Sequence, residues 1–269
     1  MSTATDTGIE RIAAAFAGAA GRAALMPYLM GGFPDVETSV RIGEAYADNG
    51  ADLVELGVPF SDPLADGPVI HAAGTRALAA GATLHHVLEV GARLAHRLPV
   101  VLMCYANPLL ARGAERFADE LAVRRISGLI VPDLPLEEAP GVFAACEAAG
   151  IALVPLVAPT TPEDRLAAIG SRARGFLYTV SVTGTTGERG EVDARELIAR
   201  AKAASAAPVA LGFGISSADH ARAAADAGAE GVIVGTRLVR AAAEAVDAGH
   251  DPAAAAGAVV AELAAGLTR

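Results

Sequence analysis

Glu55, Asp62 and Asp66 fall within one stretch, GADLVELGVPFSDPLADG, from Gly50 to Gly67. Glu55 is the acid inside an apolar run, Leu53–Leu56. A carboxylate at the end of a buried strand costs free energy unless it is paired or used. The loop after it is stiffened by Pro59 and Pro63, closes at Gly67 and carries Ser61, Asp62 and Asp66. Carboxylates sharing a pocket suit proton transfer. Strand alternation puts Leu53 and Glu55 on one face, Val54 and Leu56 on the other. If Leu53 faces a core, Glu55 lies at the same core's rim. Partial burial there raises a carboxyl pKa toward neutrality, where it works as acid or base. The bland alternative is a solvated or ion-paired glutamate at a strand edge. Asp66 can share the pocket with Glu55. Ser61-Asp62-Pro63 is turn chemistry, which assigns Asp62 to shape or to an interface.

The elements that must hold these groups repeat along the chain. Short apolar or β-branched runs predict strands at Leu25–Met30, Leu53–Leu56, Val100–Cys104, Leu129–Val131, Ala152–Leu156, Phe176–Val180, Val209–Gly212 and Val232–Val234. Intervening segments such as Val36–Asn49, Val69–Ala95 and Ala218–Ala227 are long enough for helices. Gly50, Gly150 and Gly228 each follow a predicted helix and shortly precede a strand. Glycine there is a C-cap signal, and its recurrence marks repeated αβ units. Such alternation builds a parallel sheet. Eight units in 269 residues favour a closed α/β barrel, the TIM (β/α)8 type of roughly 250 residues. No linker divides residues 1–269, so a single barrel domain is expected. Ile9–Ala20 reads as an extra N-terminal helix and Pro252–Leu267 as a last one.

Bulk properties narrow the ligands. The net charge is −10 and the pI about 5.1, which argues against nucleic acid and anionic membrane as partners. A composition 53% hydrophobic supports one large core. No run reaches the roughly 18 apolar residues of a membrane span. The N-terminus lacks a basic segment followed by an apolar one, so a cytoplasmic protein is expected. Cys104 and Cys146 match no metal spacing and read as buried thiols in a reducing compartment. The six histidines form no HExxH-like cluster, and no metal is expected.

In a parallel barrel, chemistry sits at the C-terminal ends of the strands. Gly31–Asp35, the Glu55–Gly67 stretch, Tyr105–Pro108 and Pro132–Pro135 follow the first four candidate strands. GFGISS (Gly212–Ser217) and VGTR (Val234–Arg237) follow the last two. Both place glycine where a backbone N–H approaches a ligand, just before a helix N-terminus, and barrels frequently hold phosphate there. Backbone dipoles would then bind an anion despite the acidic chain. Ser181–Glu191, SVTGTTGERGE, combines glycines with threonine hydroxyls. It reads as a lid that excludes water, or more simply as a flexible surface loop.

ELGVPFSDPLADG (Glu55–Gly67) resembles the signature of the tryptophan synthase alpha subunit family. The likeness covers nearly the whole chain, through PYLMGGFPD (Pro27–Asp35), MCYANP (Met103–Pro108), VPDLPLEE (Val131–Glu138), SVTGTTG (Ser181–Gly187), GFGIS (Gly212–Ser216) and VGT (Val234–Thr236). That resemblance implies a TIM barrel that cleaves indole-3-glycerol phosphate to indole and glyceraldehyde 3-phosphate. It implies Glu55 as general acid/base and Asp66 at the indole N–H. Gly187, Gly214, Gly235 and Thr236 would hold the phosphate. Tyr28, Met103, Ile130, Tyr178 and Phe213 would line the indole pocket, and Thr186 in the lid would help set Asp66. No cofactor is implied in this chain. The implied partner is a beta subunit carrying pyridoxal phosphate, in an alpha2beta2 heterotetramer, with indole reaching it through a tunnel. The Asp62 loop and the lid would face that partner. Val182 and Met30 depart from the better-known bacterial members, which bears on lid coupling and pocket detail rather than on the carboxylates. The alternatives are a stand-alone lyase that releases indole, a silent subunit that only activates its partner, and another phosphate-binding barrel.

Overall fold

A parallel sheet forms the centre of the computed structural model, which describes residues 6–19, 21–180, 194–212 and 214–268. Its strands are β1 (Ala24–Met30), β2 (Val54–Gly57), β3 (Val100–Met103), β4 (Gly128–Ile130), β5 (Ala152–Leu153), β6 (Leu156–Val157), β7 (Leu177–Val180), β8 (Val209–Gly212) and β9 (Gly231–Val234). They run in the order β5-β4-β3-β2-β1-β9-β8-β7-β6. The two ends of that order, β5 and β6, are consecutive in the chain. Val154 N–H donates to the Leu129 carbonyl at 2.9 Å, and the Pro155 carbonyl accepts from Tyr178 N–H at 3.0 Å. One stretch therefore bonds to both neighbours, and the sheet closes into the expected barrel. The strand expected at Ala152–Leu156 is interrupted because Pro155 has no N–H to donate.

Helices α1 (Gly8–Gly18), α2 (Val36–Asp48), α3 (Pro68–Ala79), α4 (Leu84–Leu94), α5 (Ala106–Arg112), α6 (Ala114–Val123), α7 (Pro140–Ala148), α8 (Glu163–Gly170), α9 (Ala194–Ala204), α10 (Ala218–Asp226), α11 (Thr236–Asp247) and α12 (Pro252–Leu267) alternate with the strands or flank them. The long segment Val69–Ala95 is two helices rather than one. Gly81, at φ +87°, breaks it, and the Thr83 hydroxyl then caps α4 by accepting from His86 N–H. Gly50, at φ +98°, turns the chain from α2 toward β2. Asp52 fixes the entry to that strand, accepting from Arg22 at 2.6 Å and from Leu25 N–H at 2.7 Å.

Strand alternation separates two cores. Val54, Leu56, Leu102, Leu129 and Val232 pack outward against the helices. Met26, Leu53, Val101, Ile130, Phe176 and Ile233 are among those that fill the barrel interior. Ile12 from α1 joins the interior cluster and is fully buried. The extra N-terminal helix is thus a stopper, with Ile9 and Phe16 packed beside Ile12. Its start is fixed by a capping box between Thr7 and Glu10. Its approach is so close that a Cβ on Gly8 would lie 2.3 Å from the Ser127 carbonyl oxygen. Among the described residues, no helix is long and apolar enough to cross a membrane. The plug generates a stability prediction. Ile12→Ala should cost about 2–5 kcal/mol, as large-to-small changes in a rigid core do. Urea unfolding measures it, and an unchanged midpoint would contradict the plug.

Candidate active site

Glu55 sits one layer above Leu53 in the barrel interior, in register with Tyr28 on β1 and Val101 on β3. It is 2% exposed. Its Oε2 is buried without a hydrogen-bond partner among the described residues. Burial pushes its pKa up to about 8, and the nearby Asp66 charge adds to the rise. At neutral pH the carboxyl therefore keeps its proton, as a general acid must.

Asp66 arrives from the loop between β2 and α3. Val58 N–H donates to the Met103 carbonyl at 2.8 Å, which ties the loop's first turn to the end of β3. Asp66 N–H donates to the Pro63 carbonyl at 3.1 Å, a tight turn that brings the side chain back over the barrel. Its Oδ1 accepts from the Tyr105 hydroxyl at 2.9 Å. Burial raises the Asp66 pKa, while the Tyr105 hydrogen bond and the His71 charge oppose the rise. The Asp66 charge is itself one cause of the Glu55 rise, so Asp66 ionises before Glu55. Asp62 is exposed, accepts from the Ser61 hydroxyl at 2.8 Å and does not reach this pair. Leu64 beside it is 90% exposed.

Tyrosines and glycines shape the space between the acids. Tyr28 is raised well above the ordinary tyrosine range by burial, then by the Asp66 and Glu55 charges, which locates it beside both. Burial raises Tyr178 too, followed by the Glu55 and Tyr28 charges. The hydroxyl of Tyr28 lies 1.9 Å from where a Cβ on Gly57 would be, and the ring of Tyr178 lies 2.4 Å from the same point on Gly212. Each ring thus uses the space of a missing side chain. Ile130 belongs to the interior cluster with Tyr178, and Met103 packs against it.

The remaining expected groups lie at the rim. Gly235 precedes α11 and offers no side-chain cap; Leu238 N–H donates to the Gly235 carbonyl at 3.0 Å, while no side chain caps the N–H groups of Thr236 and Arg237. A Cβ on Gly235 would come 3.5 Å from Tyr28 Cβ, which joins this rim to the acid pair. Thr236 is the first residue of α11 and is exposed. Gly214 is exposed in the turn before α10, whose N-cap is Ser217. Phe213, Thr186, Gly187 and the rest of Ser181–Glu191 lie outside the described residues. The ring-accommodating role of Gly57 and Gly212 and the contact of Tyr105 with Asp66 are not legible in local pattern. Tyr105 had one signal, its position directly after the third strand.

A family model described as tryptophan synthase alpha chain matches residues 15–267. The tryptophan synthase alpha chain of Prochlorococcus marinus (strain MIT 9313) is 51% identical over 226 residues, 82% of each chain. The chain belongs to the tryptophan synthase alpha chain family. Solved structures agree with this. Tryptophan synthase from M. tuberculosis superposes with a TM-score of 0.87 at 38% identity, covering 96% of this chain and 98% of that one. The alpha subunit from Legionella pneumophila str. Paris gives 0.86 at 34% identity, covering 98% and 99%. As a tryptophan synthase alpha chain the protein is a lyase, and the family implies a beta-subunit partner. Membership sets aside the other phosphate-binding barrels.

Burial of Glu55 has a consequence for the alpha chain's stability. The folded state holds the Glu55 proton up to about pH 8, whereas an unfolded glutamate releases it near 4.5. Folding takes up a proton between those values, so this group's contribution falls as pH rises through that window. Glu55→Gln removes the effect. Its urea midpoint should exceed the wild-type midpoint most clearly above pH 8, with the gap shrinking toward pH 4.5. A gap that is constant with pH would mean that Glu55 is not held protonated.

Proposed function

We propose that this alpha chain cleaves indole-3-glycerol phosphate to indole and glyceraldehyde 3-phosphate in L-tryptophan biosynthesis, with Glu55 and Asp66 as its catalytic groups. The observation that carries the assignment is the pair itself. A buried carboxyl with an unpaired oxygen stands beside a second carboxyl that ionises first. The reaction needs both states. Glu55 donates its proton to indole C3, which turns the ring into an electron sink. The resulting carboxylate takes the proton of the glycerol hydroxyl next to the scissile bond. That bond breaks, its electron pair returns to the ring, and an aldehyde is left. Glu55 ends with a proton, ready for another turnover. Ionised Asp66 faces the indole N–H and stabilises the positive charge that builds on the ring.

Tyr28, Met103, Ile130 and Tyr178 form the apolar walls of the indole pocket, with Phe213 as a further wall. Gly214, Gly235 and Thr236 hold the phosphate through backbone N–H groups at the starts of α10 and α11, and Gly187 contributes from the Ser181–Glu191 loop. Such dipoles suit an anion in a chain of net charge −10. Thr186 belongs to the lid and helps to set Asp66. None of these steps requires a cofactor from this chain. The protein acts as a single-domain cytoplasmic subunit of an alpha2beta2 complex, and pyridoxal phosphate belongs to the beta subunit, which receives the indole. Exposed Leu64 and Asp62 support a partner-facing role for the loop above the acids.

Indole release from indole-3-glycerol phosphate, with and without a beta subunit, is the decisive measurement. Wild-type cleavage should rise several-fold with the partner and decline above about pH 8, where Glu55 loses the proton it must donate. Glu55→Gln should keep partner binding and lose cleavage by at least about 100-fold. Near-normal cleavage in that variant would remove Glu55 from the mechanism. High activity without the partner and no response to it would indicate a stand-alone lyase.

The phosphate assignment has its own test. Gly235→Ala places its Cβ at ordinary contact distance from Tyr28 and should change KM little. Gly235→Asp adds a negative charge at the same point and should raise KM about ten-fold or more. Equal KM values for the two variants would move the phosphate elsewhere.

A further inference from the structure

Tyr105 has a pattern of contacts that a pocket wall does not need. It lies two residues past the end of β3 and is the N-cap residue of α5. Its hydroxyl donates to Asp66 Oδ1 at 2.9 Å and accepts from Ala65 N–H at 3.0 Å. Its ring is stacked on Phe60, with centroids 5.2 Å apart and planes 25° from parallel. The residue after it is held too, since Ala106 N–H donates to Asp133 Oδ1 at 2.8 Å. One phenol thus joins the β2–α3 loop, at both Phe60 and Ala65, to the end of β3, and Asp133 ties that strand end to the loop after β4.

We infer that Tyr105 is a positioning residue for Asp66: it occupies one carboxylate oxygen and so aims the other at the ligand N–H. The inference rests on the reading of Asp66 as the group at the indole nitrogen. A carboxylate on a loop can rotate about two side-chain bonds. Fixing Oδ1 to a phenol that is itself held by a ring stack and a backbone N–H removes much of that freedom. The same bond favours the charged form of Asp66. The other titratable or charged groups facing the pair are Glu55 on β2, Tyr28 on β1, His71 on α3 and Asp133 in the loop after β4. Of these side chains, Tyr105 is the one with a hydrogen bond to Asp66 among the described residues.

Tyr105→Phe keeps the ring and removes only the hydroxyl. Cleavage of indole-3-glycerol phosphate is measured against pH in the full chain with its beta partner. The expected result is a fall in kcat of about ten-fold, KM within about two-fold, and an acid limb moved to higher pH because Asp66 loses the bond that favours its ionised form. In Asp66→Asn, adding Tyr105→Phe should lower kcat no further. An unmoved acid limb overturns the inference, whether the rate is normal or uniformly reduced. Should Tyr105→Phe not fold, 3-fluorotyrosine at position 105 replaces it. That stronger donor must move the limb to lower pH, and an unmoved limb again overturns the inference. Asp66→Asn cleaving at the wild-type rate would instead reject the role given to Asp66.

Discussion

The structure turns on the desolvation of one carboxyl group. Strand alternation and barrel closure bury Glu55 and leave one of its oxygens without a hydrogen-bond partner among the described residues. That costs free energy, and the surrounding layers must supply it. Beneath Glu55, Leu53 and Met26 belong to a filled interior, and Ile12 closes the floor. A floor open to water would rehydrate the carboxyl and return its pKa to the ordinary range. The extra helix α1, remote from any chemistry, so bears on the protonation state at the other end of the barrel.

The two acids hold their protons differently because their surroundings differ. Glu55 is on a rigid strand with its charge penalised by burial. Asp66 is on a loop, with a phenol and a histidine charge offsetting part of its burial. Asp66 ionises first, and its charge helps to keep the proton on Glu55. The pair is therefore poised by its members' mutual repulsion as well as by the pocket. Tyr28 and Tyr178 complete the arrangement, and they fit because Gly57 and Gly212 leave space for their rings. Glycine at those positions is a packing requirement, separate from the role proposed for glycine at the rim.

Frame and loops contribute differently. Strands set Glu55, Met103, Ile130 and Tyr178 to within the tolerance of a packed core. Loops carry Asp66, Tyr105 and the turns proposed to bind the anion. The β2–α3 loop is tied back at Val58, Ala65 and Asp66, so its carboxylate is held nearly as firmly as a strand residue. Its outer turn, with Asp62 and Leu64, stays exposed and is free to meet a partner.

Periodicity and glycine punctuation alone determined the strand runs, the extra first helix and the last helix, because short-range pattern dictates them. Val209–Gly212 and Pro252–Leu267 have the same limits in sequence and structure. The alternation Leu53, Val54, Glu55, Leu56 was enough to put Glu55 on the face of Leu53, which the structure places inside the barrel, and the Glu55–Gly67 motif was enough to indicate the family. Tertiary structure decided the rest. That α1 is a stopper rather than a surface helix depends on Ile12 meeting β-strand side chains far away in sequence. The split of Ala152–Leu156 follows from the two neighbours that one stretch must bond to, and the split of Val69–Ala95 from a backbone turn at Gly81. Above all, the bond from Tyr105 to Asp66 joins residues 39 apart. No local pattern encodes that contact. It exists because parallel pairing of β2 with β3 brings their C-terminal ends side by side.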